Sequence, residues 1–336
     1  MAPSAITPQS SPRLVAAPIA NVISPKYNHW RADLQKDGFA VVKGAIPKER
    51  AVQYQEDAYA WLKSFGTDLD LNNPDTWIKQ NLPVQSKINT FHSYCVAHEK
   101  FMWDARMESG VLDAFALLWG TDELLASFDS LNITLPNRKD VPRKAAWEHI
   151  DQSPLRRGLH CVQGILNLSP SGPEDGGLVV YPGSHALNDE FFDNNTDQST
   201  WTSLDRYLFE EDQLAWFRAR GIAPLKVCAE VGDLILWDSR TVHYGAEPSE
   251  KSEQIRTVIY TAYTPARLAS PEQLALKAQA FENYGGTTHW PHDNVVPRDT
   301  KTYLEDGTRD PKDRDRPLTL PERSDKLLKL AGVKHY

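Results

Sequence analysis

Between Phe128 and Ala266 the chain is a run of short β-branched or aromatic stretches, and this pattern narrows the possible folds more than any other feature. "FDSLNITLPNR", "EHID", "LHCVQGILNL", "GGLVVYPGSH", "LKVCAEVGDLILWD" and "IRTVIYTAYTPA" are bounded by turn residues such as Pro-Asn, Ser-Gly-Pro, Pro-Gly-Ser and Val-Gly-Asp. One acidic, aromatic helical insert, "EEDQLAWFRARG", interrupts them. A parallel α/β sheet needs a helical crossover between successive strands, and most of these stretches have no room for one. The pattern therefore predicts a mainly β fold, a sandwich or barrel, with helices outside it.

Those helices are legible on both flanks. "LQKDGFAVVKGAI" reads as a helix end followed by a strand from Phe39 to Val42. "PKERAVQYQEDAYAWLKSFG" has apolar residues at helical spacing, Pro47 in the first turn and Gly66 as a stop. "ESGVLDAFALLWG", almost wholly apolar and closed by Gly120, predicts a helix buried against a sheet. Past Thr264, Ser270 and Gln273 predict a capping box, and Thr319 with Glu322 a second cap pair on a short last helix. The organisation expected is a flexible arm over 1–25 and one domain over 26–336. Its β core runs roughly over 128–265, with a helical and loop extension over 266–336.

Composition excludes several function classes. Among 336 residues, 40% are hydrophobic and ten are tryptophan, ample for a large core. A net charge of -8 argues against nucleic acid or an anionic membrane as partner. No stretch approaches the roughly 18 apolar residues of a membrane span. Cys95, Cys161 and Cys228 are odd in number and far apart, which fits neither a zinc site nor a disulfide framework. The N-terminal stretch lacks the basic start and apolar run of a secretory signal, and the final "KHY" is no peroxisomal address. A cytoplasmic enzyme acting on a small molecule is the expectation.

The chemistry starts at "WEHIDQSPLRRG". On a strand, side chains at i and i+2 share a face, so His149 and Asp151 would lie together, roughly 6.5–7 Å apart along the strand. A third ligand is available at His243, just after the apolar strand in "GDLILWDSRTVH". Two histidines and one carboxylate on one face leave open positions, the donor set of non-haem Fe(II) oxygenases. Such an oxygenase commonly draws its electrons from 2-oxoglutarate, whose far carboxylate calls for an Arg fork. Arg256 is placed for that role at the start of the next strand, and a hairpin would set this strand beside the one carrying His243.

In this order the pieces "DGFAVVKGAIP", "HID", "GGLVVYPGSH", "GDLILWDSRTVH" and "IRTVIYTAY" resemble the phytanoyl-CoA dioxygenase family of Fe(II)/2-oxoglutarate oxygenases, over roughly 34–265. The resemblance implies a double-stranded β-helix, a cupin-like jelly roll with iron in its open mouth. It implies His149, Asp151 and His243 as iron ligands and Arg256 as the clamp on 2-oxoglutarate, with O₂ as oxidant and ascorbate supportive in vitro. Asn132, Gln163 and Lys87 are further candidates for co-substrate contacts. Family members often carry Ser or Thr two residues past the distal histidine, where this chain has Gly245. Related halogenases replace the carboxylate ligand by Ala or Gly, so Asp151 points to hydroxylation, desaturation or ring closure.

Other clusters weigh less. His289, His292 and Asp293 in "TTHWPHD" offer a rival metal set on a Pro-bearing loop, or a lid over the pocket. His185 reads as a turn cap and His160 as a core residue. Trp147 and Trp237 read as core packing or as walls of a substrate pocket. Arg156 and Arg157 are solvated or meet an anionic substrate, which would suit a free cyclic or aliphatic amino acid such as pipecolate or proline. A larger natural-product intermediate is the alternative substrate. A jelly-roll binding protein without catalysis, or a metal isomerase or hydrolase that does not use 2-oxoglutarate, is the alternative class.

Overall fold

The computed structural model describes residues 29–336, so the arm expected over 1–25 lies outside the described residues. Among the described residues twelve strands run in chain order: β1 (Phe39–Val42), β2 (Thr90–Phe91), β3 (Leu124–Ala126), β4 (Leu131–Thr134), β5 (His149–Ile150), β6 (Val162–Asn167), β7 (Gly177–Val180), β8 (Tyr207–Leu208), β9 (Leu225–Lys226), β10 (Leu234–Asp238), β11 (His243–Ala246) and β12 (Arg256–Pro265). They form two antiparallel sheets. One has the order β1-β10-β6-β12-β4-β2, with β3 also on β12; the other is β8-β5-β11-β7-β9. This is the mainly antiparallel β architecture with flanking helices that the turn-bounded stretches predict.

Alternation along the strands explains how the sheets stack. On β10, Leu234 and Leu236 join the large apolar cluster that also holds Tyr54, Trp61, Trp103 and Phe115 from helices. Ile235 and Trp237, the residues between, join a smaller cluster with Ile165 and Val258 of the same sheet and Leu178 and Val180 of the other. One face of the larger sheet therefore packs on helices, and its opposite face looks across at the smaller sheet. The smaller sheet does the same: Ile150 and Val242 pack outward with Phe191, Phe192 and Phe217, leaving their strand neighbours to point inward.

The helices match their sequence signals closely. α1 (Trp30–Asp37) ends at Gly38, whose φ of 77° is left-handed. An added Cβ there would lie 2.5 Å from His185, so glycine is required twice over. α2 (Lys48–Lys63) starts one residue later than expected, with Pro47 as N-cap. α3 (Lys100–Arg106) and α4 (Ser109–Trp119) cover the larger sheet, α5 (Asn188–Asn195) and α6 (Glu211–Arg218) the smaller. α7 (Pro271–Glu282) has the Ser270 half of the expected capping box, its side chain accepting from the Gln273 amide, while the Gln273 side chain accepts instead from the Val295 amide at 2.8 Å.

Two expectations are corrected. α8 (Asp325–Leu330) is capped by Ser324, not by Thr319 and Glu322. The reason lies across the fold: the Glu99 carboxylate accepts from the amides of Leu318 and Thr319 at 2.8 and 3.1 Å, which fixes that segment as an extended strap. The hairpin between the His243 and Arg256 strands does not form either. β11 and β12 belong to different sheets, and residues 247–255 carry the chain across the sandwich.

Candidate metal centre and co-substrate pocket

His149 and His243 are paired directly across β5 and β11, and Val180 is the partner of His243 on its other side. Since Val180 faces the interior, both imidazoles do too. Their ring centroids are 4.2 Å apart. Asp151 lies just past the end of β5, where its amide donates to the carbonyl of Ser239 at 2.9 Å. Its carboxylate turns back to 3.6 Å from Nε2 of His149 and 3.2 Å from Nε2 of His243. One ligand atom from each of the three lies within 4.8 Å of the others.

Hydrogen bonding prepares the donor set. Nδ1 of His149 lies 3.1 Å from the Trp147 carbonyl, and Nδ1 of His243 lies 2.8 Å from the Thr241 carbonyl. A carbonyl only accepts, so Nδ1 of each ring is the donor in that contact and Nε2 is the atom left facing Asp151. Burial, followed by neighbouring His243, pushes the His149 imidazole down to about 3, which keeps it neutral. Burial opposes ionisation of Asp151, but the imidazoles of His149, His289 and His243 outweigh it and hold the carboxyl well below the usual range. A neutral His149 imidazole and an ionised Asp151 carboxylate are the states a divalent metal requires.

Other side chains enclose this trio. Gln163, on β6 of the facing sheet, donates from Nε2 to Oδ2 of Asp151 at 2.9 Å. Expected at the co-substrate, Gln163 instead meets the carboxylate of Asp151. Trp147 stacks on His149 with centroids 4.1 Å apart and planes within 12°. Arg206 lies over the Trp147 ring at 5.5 Å. Trp237 meets His243 edge-on at 5.5 Å, and its buried indole N–H has no partner.

Arg256 points inward, on the same side of β12 as Val258. It is buried at 4% exposure. Nη1 donates to Oδ1 of Asn132 at 3.1 Å, while Nε has no partner. Asn132 is itself braced: Oδ1 also accepts from Thr134, and Nδ2 donates to the Ile88 carbonyl. Lys226 lies beside this group and has no signal in the sequence. At Gly177, whose φ is 147°, an added Cβ would meet Nζ of Lys226 at 2.8 Å, Oγ of Ser171 at 2.9 Å and Nε of Arg256 at 3.3 Å. Lys87 is exposed, in the loop before β2. At Gly245 a Cβ would meet nothing within 4 Å.

The remaining candidates have other partners. Arg156 is ion-paired to Asp205 at 2.8 Å and Asp293 at 2.6 Å, and it stacks over Trp290. Arg157 pairs with Asp189 and Asp193 on α5. Both guanidiniums thus serve structural pairs. Among the described residues His289, His292 and Asp293 do not bring three ligand atoms together, and Asp293 is engaged by Arg156. Their segment runs beside the start of β6, where the His289 carbonyl accepts from Cys161. His160 lies 3.1 Å from the Arg157 carbonyl, and buried His185 lies 3.1 Å from the carbonyl of Gln35 in α1.

A fold of two facing antiparallel sheets with two histidines and a carboxylate at its mouth defines a jelly-roll metalloprotein. The family model of phytanoyl-CoA dioxygenase (PhyH) matches residues 34–258. The chain belongs to that family and is a non-haem Fe(II)/2-oxoglutarate-dependent oxygenase. It is 41% identical over 294 residues to Ava biosynthesis cluster protein O of Aspergillus versicolor, covering 85% of this chain and 94% of that one. Among solved structures it resembles EctD from S. alaskensis with bound Fe, at 17% identity and a TM-score of 0.51, over 77% of this chain and 83% of that. EctD with 2-oxoglutarate and 5-hydroxyectoine matches over the same shares at 16% identity and a TM-score of 0.50. These two likenesses concern the fold. Among the described residues, no helix is long and apolar enough to cross a membrane.

Proposed function

We propose that this oxygenase oxidises a C–H bond of a biosynthetic intermediate, using His149, Asp151 and His243 to hold Fe(II) and Arg256 to hold 2-oxoglutarate. The observation that carries the metal assignment is the convergence of three ligand atoms within 4.8 Å, with both Nδ1 atoms engaged by carbonyls. Iron and 2-oxoglutarate, when bound, supply the activation of dioxygen, with succinate and carbon dioxide as the co-product pair. The chain's own residues do the rest. Gln163 fixes the Asp151 carboxylate. Arg256 offers an unpartnered N–H in a buried setting where a carboxylate would satisfy it. Trp147 and Trp237 cover the two imidazoles and exclude stray water from the reacting centre.

For the substrate, similarity to a biosynthesis cluster protein favours an intermediate of secondary metabolism. The aromatic walls suit a partly apolar, ring-bearing compound. A free amino acid such as pipecolate or proline is the second reading. Its expected anchors, Arg156 and Arg157, are engaged in ion pairs. The test is succinate release from 2-oxoglutarate with Fe(II) and ascorbate across a panel holding both compound classes, with His149→Ala as control. Turnover of ring-bearing intermediates but not of amino acids supports the proposal. Turnover confined to amino acids overturns the substrate assignment.

A further inference from the structure

We infer that Lys226 is a second cation for the far carboxylate of 2-oxoglutarate, so that the pocket is built for a dianionic keto acid. The inference rests on the reading of Arg256 just given and adds a residue from a different strand and sheet. Three observations carry it. First, Nζ of Lys226, Nε of Arg256 and Oγ of Ser171 all lie within 3.3 Å of the point where a side chain at Gly177 would begin. These three groups fill the space a side chain at Gly177 would need, so glycine lets two positive groups and a hydroxyl pack together against the backbone. Second, neither cation has a carboxylate in ion-pair contact among the described residues. Nζ has only Ser171 Oγ and two carbonyls, at 3.3 to 3.4 Å, and Nε of Arg256 has none. Two cations this close, one of them fully buried, repel each other unless an anion joins them. Third, the arginine is already oriented by Asn132, so its free N–H is fixed rather than searching.

An ammonium and a guanidinium held side by side suit an oxyanion with two acceptor oxygens, which is the far end of 2-oxoglutarate. Pyruvate carries the same keto acid without that end. It is therefore the probe that separates a carboxylate contact from a general effect on the pocket. Lys226 acts as a binding residue here, and it also sets which keto acid is accepted.

The experiment is calorimetric titration of the full chain, loaded with Co(II) in place of iron, with 2-oxoglutarate and separately with pyruvate. Lys226→Met is expected to weaken 2-oxoglutarate roughly tenfold to a hundredfold, as for loss of a charged hydrogen bond, and to leave pyruvate within about twofold. Lys226→Arg is expected to recover most of the loss. If Lys226→Met leaves 2-oxoglutarate unchanged while Arg256→Met abolishes its binding, the role of Lys226 is wrong and that of Arg256 stands. If Arg256→Met also binds normally, the underlying pocket assignment is wrong. Equal weakening of both keto acids also overturns the inference, as a structural effect. In the wild-type protein, 2-oxoglutarate but not pyruvate is expected to protect Lys226 from an amine-acylating reagent, read by peptide mass spectrometry. Equal labelling with either keto acid counts against it even if the variants fail to fold.

Discussion

Gln163 donates its side-chain amide to Oδ2 of Asp151 at 2.9 Å, and that same oxygen faces His243 at 3.2 Å. The carboxylate is thereby held by a residue on the opposite sheet, which ties the geometry of the metal centre to the packing of the sandwich. Partners of this kind orient a ligand and tune its affinity.

Gln163→Leu is therefore expected to reduce Fe(II) affinity about tenfold to a hundredfold. Anaerobic metal titration against the wild type measures it. An unchanged metal affinity would show that Asp151 holds its position without the amide.

A pH dependence follows from Lys226. Burial, and then the Arg256 guanidinium, push its ammonium down to about 8, against weaker opposing effects of Cys228 and Asp175. A carboxylate bound beside Nζ favours the charged amine, so binding is tightest below that value and weakens as pH rises through it. The dissociation constant of 2-oxoglutarate should climb by up to about tenfold per pH unit above 8, and Lys226→Met should abolish the slope. A flat profile in the wild type would contradict this.

Stability depends on a contact far from the metal. Glu99 holds the amides of Leu318 and Thr319, anchoring the strap that leads into α8. Glu99→Ala strands two backbone donors and should cost about 1–3 kcal/mol in urea unfolding. It should leave metal affinity unchanged. A loss below about 0.5 kcal/mol would mean that water replaces the carboxylate freely.

The parts of this molecule written in local patterns are the parts readable from sequence. His149 and Asp151 announce themselves by their close spacing in the chain, although Asp151 lies just past β5 and reaches His149 by turning back, and Gly38, Gly120 and Ser270 end or cap helices by rules that act within a few residues. What stays hidden is contact between distant elements. Residues 247–255 look like a hairpin loop, yet they cross between sheets, a choice decided by global topology. Gln163 reads as a candidate co-substrate contact, and only the facing of two sheets brings it to Asp151. Lys226 is one lysine among many until the fold packs its Nζ against Gly177 beside Arg256. Thr319 and Glu322 make a plausible cap pair that loses to Glu99, more than 200 positions away.

The most direct test is stoichiometric: anaerobic titration of the purified chain with Fe(II), followed by desalting and metal analysis. The wild type should retain one iron per chain. His149→Ala and His243→Ala should retain none while melting as cooperatively as the wild type. Retention of one iron by both variants, or a folded wild-type chain that takes up none, would contradict the assignment of the metal to these three side chains.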